Sequence, residues 1–263
     1  MLYPNWGKYF GNNGYLSHDL SYSFAGRTQE TYNLFYHLSA LLPQSYLTFI
    51  FTMSLLVAFA YTFGLCTRIA TILLFLIQNS MITQNPFVVS GEDMVLRMIL
   101  FYGIFAPMNG AIAVDNFLFK KTKISSGRLW ILRAAQLNFL AIYVFSLPDK
   151  LLLDPGWLNG TFMYYVLNND MWSRWQWGEF AANYYVSATL TYGALLAEFL
   201  LPILIWIKRW RNIVVLAGMT FHLLIAIFLS NVTFFSLMMI CGLTLFWDFE
   251  RSSKKYLKSL SIV

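Results

Sequence analysis

Three ionisable side chains stand where a lipid environment makes them costly. Glu198 lies inside the run YGALLAEFLLPILIW, four residues before Pro202. His222 lies about midway along MTFHLLIAIFL, and Lys150 closes an apolar stretch in FSLPDKLLLD. An ionisable group in a membrane segment is by default a functional candidate. The chemistry open to these three is proton transfer. A partly desolvated ammonium gives up its proton more readily than a hydrated one, so Lys150 is a candidate base, with Glu198 and His222 as further candidate catalytic groups. Each also has a structural reading. Glu198 can be protonated, or bonded to backbone that Pro202 loosens. His222 can be a hydrogen-bonded structural group. Lys150 can snorkel to the interface and pair with Asp149 or Asp154.

A second polar cluster sits in a turn. Two apolar runs, Ile69–Thr83 and Met94–Met108, are joined by Gln84–Asp93, which carries Asn85-Pro86 and Ser90-Gly91-Glu92-Asp93. Ser90 lies three residues before Asp93. That is a capping-box spacing for a helix starting near Gly91, with Asp in place of the preferred Glu or Gln. Glu92 and Asp93 suit the positive end of the helix dipole. Asp93 and Arg97, four apart with the acid first, predict an ion pair along one helix face. Glu92, Asp93 and Arg97 therefore read in one of two ways. They are a capped helix start with a snorkelling arginine, or the polar rim of an outward-opening cavity that also takes in Lys150, Glu198 and His222.

The elements that must position these groups are membrane helices. Of 263 residues, 58% are apolar and only 11% charged, against about 25% charged in a soluble domain. Apolar runs fall at about 45–65, 69–84, 94–109, 129–148, 184–207, 212–230 and 233–248. The fold class expected is an all-α multipass transmembrane helical bundle of about seven spans, although several runs are shorter than the usual ~20 residues. The net charge of +6 points to no nucleic acid partner, because the basic residues gather in short loops as the positive-inside rule expects. Lys120, Lys121, Lys123 and Arg128 form one such cluster, Lys208, Arg209 and Arg211 a second, and Arg251, Lys254, Lys255 and Lys258 a third. Seven spans place all three inside. Residues 1–43 are then an outside segment, 44–250 the bundle and 251–263 a cytoplasmic tail, with the bilayer as partner.

Segment 150–183 is the longest outside connection. It holds Trp157, Trp172, Trp175 and Trp177, which are expected at headgroup depth as anchors. Leu158, Phe162 and Tyr165 recur at helical spacing and predict one interfacial helix, and Tyr32–Leu42 is a second, shorter candidate. Cys66 and Cys241 adjoin or lie in apolar runs and are expected to pack; two cysteines do not define a disulfide. The sequence has no phosphate loop, no His-x-x-x-His zinc pattern and no nucleophile elbow, so no metal site is expected.

The block GLCTR…QNP…GEDMVLR…F.P…VD, followed by FHLLIAIF and Phe-rich helices, resembles the HTTM family. This is the membrane domain shared by bacterial multipass proteins and the vitamin K-dependent gamma-carboxylase. The resemblance runs over about residues 5–248. It implies a lysine at the outer end of a membrane helix acting as base toward a reduced quinone, and Lys150, with Asp154-Pro-Gly-Trp157 after it, resembles that segment. Glu198 and the Phe221-His222 pair match the family's membrane acid and Phe-His pair. The pattern departs at Asp93 and Ile225, where the carboxylase has histidine and asparagine, and the large lumenal domain has no counterpart. The opening NWGKYFGNNGYLSH is similar to the sporulation-delaying protein B group. That likeness implies a bacterial cell membrane and the maturation or export of a secreted antimicrobial peptide, together with other membrane proteins. It also implies one more helix upstream of this opening. A quinol-dependent carboxylase or epoxidase and a non-catalytic membrane scaffold are the other two expectations.

Overall fold

The computed structural model describes residues 44–84, 89–106, 113–115 and 129–248. The Tyr32–Leu42 candidate, the Asn85-Pro86 turn, the Lys120–Arg128 loop and the C-terminal tail lie outside the described residues. Those described are helical, with no strand. They form two compact units divided after Leu132.

The first unit contains α1 (Gln44–Thr62), α2 (Thr67–Gln84) and α3 (Gly91–Phe105). The α1–α2 corner is tight because Gly64 and Cys66 both adopt positive φ, 72° and 47°. A Cβ on Gly64 would stand 2.8 Å from Ala113, so glycine is needed there on two counts. The corner is closed by Asp115, which arrives from far along the chain. Its carboxylate accepts from the Cys66 N–H at 2.8 Å and the Thr67 N–H at 3.3 Å, satisfying the open start of α2. The backbone N–H groups of Val114 and Asp115 donate to the carbonyls of Phe63 and Gly64. This gives a physical reason for finding Gly-Leu-Cys-Thr and Val-Asp in one block. Asp115 is buried, so Asp115→Ala would leave two amides unpaired. We expect a loss of about 1–3 kcal/mol, read as a lower unfolding midpoint in detergent, with Asp115→Asn intermediate.

The second unit begins on α4 (Leu129–Leu153). It continues through the short helices α5 (Pro155–Asn159), α6 (Phe162–Leu167) and α7 (Glu179–Ala182). Then come α8 (Tyr184–Leu204), α9 (Arg211–Phe228) and α10 (Thr233–Leu243), the last running into a 3₁₀ turn, Thr244–Phe246. Each of the seven apolar runs falls on one of the long helices. Among the described residues, three stretches are long and apolar enough to cross a membrane: Trp130–Leu153, Tyr184–Leu204 and Arg211–Phe228. Phe51–Thr62, Thr67–Ile82 and Thr233–Phe246 are shorter apolar helices.

The second unit buries small and polar residues beside apolar ones such as Leu201, Val215 and Met239. Ser187, Thr191 and Ala194 are buried on α8, Gly218 and His222 on α9, and Ser236 and Gly242 on α10. Leu196, Phe199, Ile203, Leu216 and Leu223 face outward. Small residues let membrane helices approach closely, while bulky apolar ones face lipid. The prediction that Cys66 and Cys241 pack inside is corrected: both are exposed free thiols. Cys66 sits at the left-handed corner, and Cys241 lies beside Gly242, which takes the inward position.

The predicted single helix across Leu158, Phe162 and Tyr165 is also corrected. It breaks at Gly160, whose φ is 77°, into α5 and α6. A Cβ at Gly160 would meet Ala188 at 2.9 Å, and its carbonyl accepts from the Ser187 hydroxyl at 2.9 Å. The chain must bend there to lie against α8.

Candidate functional site

Four helices of the second unit bring polar groups together. On α4, Tyr143, Ser146 and Lys150 recur at helical spacing along one face. The helix runs through Pro148 to Leu153, past the expected end of the apolar run, so Lys150 stands on helix rather than in a loop. Its ammonium forms an ion pair with Oε2 of Glu198 on α8. The expected partners Asp149 and Asp154 are not used. Asp154 instead caps α5, accepting from the Gly156 N–H at 2.8 Å. Ser146 donates to the same Glu198 oxygen at 3.3 Å and to the Tyr143 carbonyl at 3.0 Å. Glu198 is thus bonded to side chains, not to backbone freed by Pro202.

Trp157 closes the pair from above. Its ring is stacked on Phe162 with centroids 3.8 Å apart, and the Lys150 ammonium lies 5.0 Å from the Trp157 centroid. A cation over an indole face is stabilised by the ring's electron-rich centre. Trp157 is 6% exposed, which corrects its assignment as an interfacial anchor. Trp175 keeps that exposed character at 56%.

His222 approaches from α9. Its Nε2 is 2.8 Å from the Tyr143 hydroxyl, and the ring is buried. Lys150, Glu198 and His222 all line one cavity of about 380 Å³, walled by Trp157, Phe162, Trp172, Phe221 and Phe235. Ile225 and Ser236 also face it. The cavity lies at the end of the unit where α4 and α9 finish and α10 begins. The Lys208–Arg211 connection lies at the other end of α8 and α9. Three groups escaped sequence reasoning, Tyr143, Ser146 and Ser236, and Trp157 was expected only as an anchor. The i, i+3, i+7 spacing of 143, 146 and 150 was the available signal for two of them.

The 172–175 segment closes the cavity end. Arg174 donates from its guanidinium to the Leu229 carbonyl at 3.2 Å, the Ala226 carbonyl at 3.4 Å and the Thr233 hydroxyl at 2.8 Å. The two carbonyls sit at the negative end of α9, where a cation stabilises a helix by up to about 2 kcal/mol. Arg174→Met should therefore free the segment. Hydrogen exchange at residues 172–175 and at Leu229 and Ser230 should accelerate about tenfold, a change equivalent to about 1.4 kcal/mol.

Glu92, Asp93 and Arg97 belong to the first unit, at the start of α3. Asp93 Oδ2 accepts from the Ser90 N–H at 3.0 Å, the carboxylate arm of the predicted capping box. Asp93 Oδ1 accepts from Gln78 on α2 at 2.8 Å. The predicted Asp93–Arg97 ion pair is corrected. Both oxygens of Asp93 are engaged, and Arg97 donates instead to the Met94 sulfur at 3.1 Å. Glu92 is half-buried in the first turn.

No curated protein and no solved structure matches the chain. A family model does: the HTTM domain matches residues 12–250. Since that match takes in every long helix and every residue of the cavity, the chain belongs to the HTTM family and is a membrane protein.

Proposed function

We propose that this HTTM protein is a membrane enzyme that uses a reduced quinone, with Lys150 as the base, in the maturation of a secreted peptide. One observation carries the reading: the half-buried Lys150–Glu198 pair stands in the wall of an aromatic cavity. A scaffold has no use for a costly ion pair beside open space, since apolar residues of similar volume hold helices together as well or better. The flat rings around the cavity and its volume suit a quinone ring. Such a molecule would supply an acidic hydroxyl and two electrons for chemistry with dioxygen.

The residues divide the work as follows. Lys150 accepts a proton only as the free amine, so its own proton must first pass to Glu198. That transfer leaves both groups uncharged; the free amine then takes the hydroxyl proton, leaving the Lys150 ammonium beside the new oxyanion, and the ion pair re-forms once Glu198 has released its proton to solvent. Ser146 holds the Glu198 carboxylate in place. His222, fixed by Tyr143, offers a further hydrogen-bonding ring to the cavity. Ile225 offers no polar atom where the carboxylase has asparagine, which favours quinol oxidation over full glutamate carboxylation.

The proposed setting is a bacterial cell membrane crossed by seven spans, with residues 1–43, 85–93 and 150–183 outside and the tail inside. The basic Lys208–Arg211 connection supports that orientation for the second unit. The peptide and other membrane proteins are the proposed partners, the first by resemblance of the opening segment. The test is aerobic incubation of the reconstituted protein with a reduced naphthoquinone, labelled carbon dioxide and a glutamate-containing peptide. Quinol loss and label incorporation are followed separately. Quinol consumption above empty vesicles is expected; none at all would leave the scaffold reading standing.

A further inference from the structure

Two buried polar atoms in the cavity wall have no partner among the described residues: Nδ1 of His222 and Oγ of Ser236. His222 is 3% exposed and Ser236 0%, and both line the cavity. An unpaired buried donor or acceptor costs about 1–3 kcal/mol. Ser236 is the sharper case. A serine or threonine inside a helix ordinarily turns its hydroxyl back onto a carbonyl one turn earlier. Thr71, Ser80, Ser146 and Thr233 all do this. Ser236 sends only its backbone N–H to the Val232 carbonyl, at 2.9 Å. The Ser187 and Thr191 hydroxyls reach the Gly160 carbonyl instead, whereas the Ser236 hydroxyl has an acceptor of neither kind.

The charge balance of the cavity narrows what could meet these atoms. Lys150 and Glu198 already neutralise each other. A charged ligand head beside Phe221, Ile225 and Phe235 would therefore bring an uncompensated charge against apolar walls. An uncharged oxygen has no such cost. With the Tyr143 hydroxyl donating to Nε2, Nδ1 carries the proton and donates; with the opposite roles, it accepts. A ligand alcohol or carbonyl oxygen can satisfy one or both atoms.

We propose that His222 Nδ1 and Ser236 Oγ form a hydrogen-bonding clasp for the uncharged oxygen of a small amphipathic ligand. The clasp rests on reading the cavity as a substrate site. It assigns recognition to atoms other than the pair that moves the proton, so Ser236 is a binding residue rather than a base.

The test measures binding without turnover. The full chain is placed in nanodiscs, with empty nanodiscs as the background. Three probes of one shape are compared by equilibrium binding: naphthalene, 1-naphthol and 1-naphthoate. Wild type should bind naphthol about tenfold more tightly than naphthalene, and naphthoate more weakly than naphthol. Ser236→Ala should erase the naphthol preference while leaving naphthalene binding as it was. Ser236→Thr, which keeps the hydroxyl, should retain the preference and shows that the fold survives change at this position. Equal binding of naphthol and naphthalene to wild type, binding of neither, or a preference that persists in Ser236→Ala would overturn the clasp. No quinol is consumed in this experiment, so its failure and failure of the Lys150 reading are seen separately.

Discussion

Lys150→Ala should lower quinol turnover by about 10²–10⁴-fold, the range that a positioned general base supplies. Alanine also strips Glu198 of its partner and can disturb the helix packing, so Lys150→Arg is the decisive companion. Arginine keeps the positive charge and can keep the ion pair, but it stays protonated and cannot serve as a base. If Lys150 only braces α4 against α8, Lys150→Arg should restore wild-type turnover. If Lys150 moves the proton, Lys150→Arg should insert and unfold like wild type yet remain as inactive as Lys150→Ala. Recovery of turnover in the arginine variant would end the base assignment. Glu198→Gln separates the two further: it keeps a hydrogen-bonding oxygen near Lys150 but cannot take up the lysine's proton.

Gly242→Ala should be the most damaging small substitution in the second unit. A Cβ there would overlap the edge of the Phe139 ring. Phe139 is fully buried, lies edge-on to Tyr143 with centroids 5.9 Å apart, and packs against Phe246 at 6.1 Å. The ring has nowhere to retreat without shifting Tyr143, and Tyr143 holds His222. Overpacking of this kind costs about 1–3 kcal/mol. The expected result is a lower unfolding midpoint together with weaker ligand binding, because the same displacement reaches the cavity. Adding Phe139→Leu should recover part of both losses, and a double-mutant cycle would measure the coupling. Simple additivity of the two changes would show that Gly242 and Phe139 do not share the space.

The sequence made Lys150, Glu198 and His222 legible for one reason. Each carries a cost in an apolar run, so each stands out from its neighbours without any structure. Tyr143, Ser146 and Ser236 carry no such mark. A tyrosine or serine in a membrane helix is common, and only its partner distinguishes it. The break at Gly160 was hidden because Leu158, Phe162 and Tyr165 keep helical spacing across it. What bends the chain there is contact with Ala188 and Ser187, which no local pattern contains. The Asp93–Arg97 pair failed for a related reason. Spacing permits a contact, but Asp93 found two donors in Ser90 and Gln78 that do not require a second charge. The helices themselves were read from their apolar runs, and all seven runs carry one.

The carboxylate that closes the first corner has a consequence for how the chain is made. Asp115 follows Cys66 by 49 positions. When the ribosome has just delivered the α1–α2 hairpin, its acceptor for the Cys66 and Thr67 amides has not yet been synthesised. Locking of that corner therefore waits on translation of α3 and the segment after it, and the α1–α2 hairpin is held in its final geometry only after a later stretch of chain has returned to it.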